Sequence, residues 1–329
     1  MANISIMGAG SFGLALAVTV EKNGHDVTVW SFQEKEKLAI LEERENKERL
    51  PGVKIPKNIN ITSDLSEIRD SEFVVTSVPS SAVRNVVRNL KKHIKPDAVV
   101  VNVSKGFEKE SLKSLSQVIA EELTNEIVVV CGPSHAEELA RAVPTSVVAA
   151  SANRKTAEKV AALLQNEALK VFVSDDVKGL EVGGTFKNVV AIATGLCAKL
   201  GGDNLLAILL ARGLCEIGKL GVAMGAKPQT FAGLSGLGDL IATCISEHSR
   251  NVKFGKLIGC KVPVDEALKQ VNMVVEGYEN TYLAKRLMEE YNLDLPVMNC
   301  VYGILYESKK IDSILETLQS SRASEDCWF

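Results

Sequence analysis

A chain of 329 residues is longer than one hydrophobic core usually serves, so two domains are expected. With 46% hydrophobic and 24% charged residues it has an ordinary soluble globular composition, and a net charge of -3 without a basic run argues against nucleic acid or an anionic membrane as main partner. Seven cysteines, scattered from Cys131 to Cys327 with no C-x-x-C pair, read as reduced thiols of a cytoplasmic protein, and four spread histidines offer no metal-ligand cluster, so no metal is expected.

The chain opens on a short β-branched run that ends at Met7, followed by Gly8, Gly10 and Gly13 at the G-x-G-x-x-G spacing. Gly8 allows a tight strand-to-helix turn, a bare Gly10 lets backbone approach a pyrophosphate, and Gly13 lets helix and sheet pack closely. Leu14, Leu16, Ala17 and Val20 continue as the buried side of a helix, whose first N–H groups attract an anion. Residues 1–20 carry no charge, but three glycines without a basic start or a cleavage pattern set a signal peptide aside. Dinucleotide binding is the better reading.

Asp26–Trp30 reads as the second strand. An NAD-selective fold often ends this strand on an acid that holds the ribose 2′-hydroxyl. Here Ser31 and Phe32 follow it, with Glu34, Lys35 and Lys37 slightly later, so the choice between NAD and NADP stays open. A charged helix is expected over 34–49 and a short strand at 59–62. Apolar runs at 72–78, 98–103 and 127–131 have the pattern of buried parallel strands. They deliver Val78-Pro79-Ser80, Ser104-Lys105-Gly106 and Gly132-Pro133-Ser134-His135-Ala136 into loops on the ligand side of the sheet. Runs at 145–150 and 170–173 flank a helix at 155–165 and complete a doubly wound sheet over residues 1–176. Taken alone, Lys105 reads as a solvated loop lysine, Ser134 as a helix N-cap with Glu137 completing a capping box, and His135 as structural.

After Asp175-Asp176 the pattern is helical only, and residues 177–329 are expected to form an all-α domain. A helix over 177–200, capped by Asp176, contains Gly183-Gly184, each costing about 1 kcal/mol against alanine. Helical spacing aligns Gly184, Lys187, Ala191 and Thr194. That stripe is either a floor for a nicotinamide ring and substrate, or a tight helix crossing with Lys187 snorkelling outward. The apolar helix at 204–224 is interrupted by Arg212, Glu216 and Lys219, so it reads as core and not as a membrane span. A glycine-rich segment at 233–243 carries a single acid, Asp239. His248-Ser249-Arg250-Asn251 then groups anion-binding side chains, with the planar fork of Arg250 suited to phosphate or simply marking a surface turn. Val274-Val275-Glu276-Gly277 starts another helical stretch, and amphipathic helices follow at 279–291, 296–306 and 311–318.

The motifs GAGSFG at 8–13, SKGFE at 104–108, CGPSHAEE at 131–138, GGTFKNVVAIATG at 183–195, GLGDL at 236–240, SRN at 249–251 and VVEG at 274–277 span almost the whole chain. Together they resemble the bacterial-type NAD(P)-dependent glycerol-3-phosphate dehydrogenase family. The resemblance implies an α/β Rossmann-like sheet domain followed by an all-α domain. It implies hydride transfer between NAD or NADP and C2 of dihydroxyacetone phosphate or sn-glycerol 3-phosphate, supplying glycerol 3-phosphate for phospholipid synthesis. Lys187 would be the general acid/base, with Lys105, Gly132, Ser134, Asp239, Ser249, Arg250 and Asn251 on the substrate. The cofactor would meet Gly8, Gly10, Ser11, Phe12, Gly13, Phe32, Lys105, Ala136, Arg250, Val274 and Glu276. Where the family often has arginine or histidine this chain has Phe32, which bears on the grip on NADP.

The chemistry of the residues agrees. Carbonyl reduction needs a proton donor at the oxygen and stabilisation of developing negative charge. A lysine does both if burial and a neighbouring cation such as Lys105 lower its pKa from about 10.4. Asp239 would hold the ammonium or accept a substrate hydroxyl, and Arg250 would fix the phosphate. A dehydrogenase of another small hydroxy acid and a non-catalytic dinucleotide sensor are the competing readings. A homodimer is expected from the apolar second domain.

Overall fold

In the computed structural model of the protein, which describes residues 1–319, the apolar runs of the first half become one eight-stranded sheet. Its strands are β1 (Asn3–Met7), β2 (Asp26–Trp30), β3 (Asn60–Thr62), β4 (Phe73–Thr76), β5 (Val99–Asn102), β6 (Ile127–Cys131), β7 (Thr145–Ala150) and β8 (Leu169–Ser174). They lie in the order β3-β2-β1-β4-β5-β6-β7-β8, so the winding reverses between β1 and β4. Six helices accompany them: α1 (Ser11–Lys22), α2 (Glu34–Glu43), α3 (Val83–Leu90), α4 (Leu115–Glu122), α5 (Ala136–Ala140) and α6 (Arg154–Leu164).

The near-continuous apolar strands follow from burial on both faces. Val75 and Val101 enter one core with Leu14 of α1, Leu139 of α5 and Val160 of α6. Their neighbours Val74 and Val100 enter the other with Val83 and Leu90 of α3 and Ile119 of α4. Successive side chains thus feed opposite layers, as the two-residue strand period requires. Each such buried aliphatic contributes about 1.5–3 kcal/mol relative to exposure.

One expectation is corrected and one feature was not foreseen. The sheet is mixed, because β7 runs antiparallel to β6, with Val129 opposite Ala150. An apolar run specifies burial but not direction. The helix expected over 34–49 stops at Glu43, where Arg44 turns left-handed with φ 50° and donates to the carbonyls of Pro56 and Ile59 at 3.4 and 3.1 Å.

The second half contains α7 (Val177–Leu196), α8 (Asp203–Ala223), α9 (Pro228–Phe231), a π-helical turn (Leu234–Gly238), α10 (Asp239–Ile245), α11 (Arg250–Gly259), α12 (Val264–Val271), α13 (Glu276–Glu290), α14 (Pro296–Tyr306) and α15 (Ser313–Gln319). Two compact units result, one from residues 1–108 and 113–177, the other from 109–112 and 178 onward. The boundary falls one residue from the expected 176/177, but residues 109–112 belong to the helical unit, which no sequence signal announced. Within that unit Lys109 pairs with Glu279 at 3.0 Å and lies over the Tyr282 ring. The expected second domain runs to residue 329, and its last ten positions, with Cys327, lie outside the described residues.

Buried Glu216 on α8 accepts the backbone N–H groups of Val297 and Met298 at 2.7 and 2.9 Å, closing the first turn of α14. Cys131, Cys197, Cys244, Cys260 and Cys300 are free thiols. Among the described residues no helix is long and apolar enough to cross a membrane.

Candidate active site

In the sheet unit, the carboxyl ends of the parallel strands carry the glycine turn. Gly8 has φ +123° and donates its N–H to Trp30 O at 2.9 Å, while Ser77 N donates to Met7 O at 2.9 Å. A Cβ on Gly8 would stand 2.3 Å from Ser77 O, and one on Gly13 would stand 2.1 Å from Gly8 O. Backbone contact therefore excludes any side chain at both positions. Gly10 differs, since a Cβ there would meet nothing within 4 Å. It is the N-cap of α1 and makes no side-chain cap bond, so the first N–H groups of the helix have no side-chain cap partner. An open cradle before an uncapped helix start fits a dinucleotide pyrophosphate.

Around this turn, the Ser11 hydroxyl donates to Arg49 O at 2.5 Å, so Ser11 offers a ligand its backbone rather than its side chain. Phe12 packs partly buried against the core. Phe32, just past β2, is 83% exposed and meets Trp30 edge-on at 6.1 Å.

The loop after β5 is fixed by a buried polar chain. Thr76 Oγ1 donates to Asn102 Oδ1 at 2.8 Å, Asn102 Nδ2 to Ser104 O at 3.0 Å, and Ser104 Oγ to Val78 O at 2.6 Å. Half-buried Lys105 follows immediately. Beyond it, the Arg84 fork grips Glu108 at 2.6 and 2.7 Å and also reaches Glu121 and Glu122. Arg88 and Arg84 together hold the Glu122 carboxyl down at about 2. The last two residues of SKGFE thus serve the loop's position, Phe107 in the core and Glu108 in the ion-pair network.

After β6, Gly132 packs against β7, and Ser134 Oγ donates to Gly132 O at 3.2 Å. The expected capping box at Ser134 is corrected, because the N-cap of α5 is His135, without a side-chain cap bond. Ala136 is buried in the first turn of α5, which packs on α1.

In the helical unit, Lys187 on α7 is 5% exposed. Its amine is bonded to the buried Asp239 carboxylate at the start of α10, and donates to Thr243 Oγ1 one turn later at 2.7 Å. Snorkelling is thereby ruled out, and the carboxylate compensates the charge of the buried ammonium. Gly183 nevertheless serves backbone packing, since its Cβ would stand 2.4 Å from Ser235 O in the π-helical turn. Further along α7, Gly195 meets Gly255 of α11, where a Cβ on either would lie 2.3 Å from a carbonyl of the other helix. Gly183 and Gly195 of α7 therefore serve close packing against polypeptide neighbours.

The SRN motif starts α11. Ser249 is its N-cap and accepts from Val252 N at 3.3 Å, Arg250 is exposed in the first turn, and Asn251 is buried. Asn251 Oδ1 accepts from Gly277 N at 2.9 Å, and its Nδ2 donates to Asn188 Oδ1 at 2.9 Å. Asn188 in turn donates to Glu276 at 3.4 Å. One network therefore ties α7, α11 and the start of α13, with Val274 half exposed just before it. Sequence reasoning missed Thr243 and Asn188. The signals were their positions: Thr243 stands four residues after Asp239 on one helix face, and Asn188 next to Lys187.

Comparison with known proteins shows the family. Residues 3–157 match the family described as NAD-dependent glycerol-3-phosphate dehydrogenase N-terminus, and residues 176–316 match the corresponding C-terminus. A glycerol-3-phosphate dehydrogenase, NAD(P)+, of Fusobacterium nucleatum is 43% identical over 314 residues, 94% of either chain. That of Pelotomaculum thermopropionicum is 46% identical over 310 residues, 92% of this chain and 89% of the relative. The crystal structure of glycerol-3-phosphate dehydrogenase from Coxiella burnetii superposes with a TM-score of 0.93 at 33% identity, covering 97% of this chain and 99% of that one. With the glycine turn, the buried amine and both halves of the family matched in order, the chain belongs to the NAD(P)-dependent glycerol-3-phosphate dehydrogenases.

Proposed function

We infer that the protein interconverts dihydroxyacetone phosphate and sn-glycerol 3-phosphate with NAD(P)H, supplying glycerol 3-phosphate for phospholipid synthesis. The observation that carries its chemistry is a lysine amine held in a buried site by one carboxylate and one hydroxyl. When bound, the nicotinamide cofactor supplies or takes the hydride at C2. Lys187 Nζ gives a proton to the C2 oxygen in reduction and recovers it in oxidation, so ketone, hydride and proton balance to the alcohol. Asp239 and Thr243 fix the direction of the amine, and its charge stabilises the oxygen as negative charge develops.

Arg250 and the start of α11, capped by Ser249, are the proposed phosphate anchor. Binding energy gathered at the phosphate then orients C2. Asn251 acts by setting the α11–α13 geometry as well as by any substrate contact. Lys105, Gly132 and Ser134 are assigned to the substrate, and Gly8, Gly10, Ser11, Phe12, Gly13, Phe32, Lys105, Ala136, Arg250, Val274 and Glu276 to the cofactor. The proposed location is the cytoplasm, supported by the five free thiols. The proposed assembly is a homodimer, supported by Ile208, Ile241 and Ile245 standing exposed in the helical unit.

Steady-state oxidation of NADH and NADPH with dihydroxyacetone phosphate, against a panel of keto acids, tests the assignment. Turnover confined to the phosphorylated ketone is expected. Preference for a keto acid would transfer the protein to the competing class.

A further inference from the structure

A Rossmann-type fold places the adenosine ribose of its cofactor at the carboxyl end of β2, where an acceptor suits the 2′-hydroxyl of NAD and a cation suits the 2′-phosphate of NADP. The end of β2 itself carries neither charge, since Ser31, Phe32 and Gln33 follow Trp30. A carboxylate reaches the same place from α2. The hydroxyl of Ser31, which is fully buried, donates to Glu36 Oε2 at 2.5 Å. The other oxygen, Oε1, accepts from Asn46 Nδ2 at 3.2 Å, and that same amide donates to Ala9 O at 3.2 Å, inside the glycine turn. Glu36 is therefore fixed by the two segments that carry ribose and pyrophosphate. Each of its oxygens accepts one of these hydrogen bonds and keeps a further lone pair for a ribose hydroxyl.

Three of the cations nearby are committed elsewhere. Lys37 pairs with Glu34 at 2.5 Å, Arg44 serves the carbonyls of Pro56 and Ile59, and Lys47 pairs with Glu43 at 2.8 Å. Lys35 lies between Glu34 and Glu36 in sequence, and Arg49 is held by Ser11 and Asn46 through its backbone. A 2′-phosphate would meet a fixed carboxylate with a second, Glu34, in the same helix turn.

We propose that Glu36, held between Ser31 and Asn46, is the specificity-determining carboxylate that makes this protein prefer NADH to NADPH, with exposed Phe32 withholding the cation a 2′-phosphate requires. The proposal rests on the reading of the glycine turn as a dinucleotide site. Fluorescence titration of the full chain with NADH and with NADPH, without substrate, measures it apart from turnover. NADH is expected to bind at least tenfold more tightly. Glu36→Gln narrows the ratio to a small factor by tightening NADPH. Phe32→Arg, on an exposed side chain that leaves folding intact, shifts it in the same direction. Equal or tighter binding of NADPH to the unaltered protein overturns the proposal, as does an unchanged ratio in a folded Glu36→Gln variant. Binding of neither nucleotide overturns both this proposal and the glycine-turn reading. NADH preference without turnover of dihydroxyacetone phosphate overturns the proposed reaction alone.

Discussion

The Lys187 amine on α7 and the Asp239 carboxylate on α10 form an ion pair in which both side chains are buried, at 5% and 2% exposure. Removing a partner from such a pair strands a charge in the interior, at about 3–5 kcal/mol. Asp239→Ala is thus expected to lower the melting temperature by several degrees and to depress kcat, because the amine loses its orientation. Thermal melting and kcat measured on the same preparation check this, and an unshifted melt would remove Asp239 as the charge partner.

Lys187→Ala removes the proton donor itself. Turnover is expected to fall by about 10³-fold or more, while NADH affinity changes little. Near-normal kcat in a folded variant ends the proposed role.

Arg250→Ala separates phosphate recognition from chemistry. KM for dihydroxyacetone phosphate is expected to rise roughly 10²-fold, the scale on which loss of one charged anchor acts. The reaction with unphosphorylated dihydroxyacetone should change far less. An equal effect on both ketones places Arg250 elsewhere.

The glycine turn supplies a paired test. Gly10→Ala adds a methyl where nothing stands within 4 Å, so stability should change by less than about 1 kcal/mol while NADH binding weakens. Gly13→Ala drives a methyl to 2.1 Å from Gly8 O, so both stability and binding should fall. Calorimetry beside nucleotide titration distinguishes the two, and identical behaviour would contradict the close-approach geometry.

Burial pushes the Glu216 carboxyl up to about 7, against the lowering effect of the N–H groups of Val297 and Met298. The folded state then binds this proton more tightly than the unfolded chain, whose glutamate titrates near 4.5. The contribution to stability is full below pH 4.5 and disappears as pH rises through about 7, on the order of 3 kcal/mol. Denaturant unfolding of the protein and of Glu216→Gln, compared at about pH 5 and about pH 8, should show a pH-dependent difference of that sign. Parallel pH profiles would refute it.

How far the sequence revealed this molecule depended on whether backbone geometry left residues any choice. Gly8 and Gly13 were legible because no other side chain fits beside Ser77 O and Gly8 O. β2, β6 and β7 were found to the residue, since an apolar run bounded by polar turns has few alternatives, but the reversal of β7 left no trace in composition. The end of α2 was missed because its terminus is an arginine in a left-handed conformation, where glycine is the usual signal. Ser134 was misread as a cap because residue type pointed to it, while the chain turns one residue later at His135. Lys187 stood out as a lone charge among small residues. Thr243 and Asn188, ordinary helix polar residues, become functional candidates only when folding brings them to Asp239, the amine and Asn251.

The main-chain contact at Gly195 and Gly255 turns α7 and α11 into a caliper. At that crossing backbone meets backbone, and the amides of Asn188 and Asn251 join the same two helices, so the span from the lysine's helix to the arginine's rests on peptide groups and one buried amide pair. On the proposed placement of the carbonyl at Lys187 and the phosphate at Arg250, a spacing fixed in this way would discriminate against a ketone with an extra carbon between the two groups.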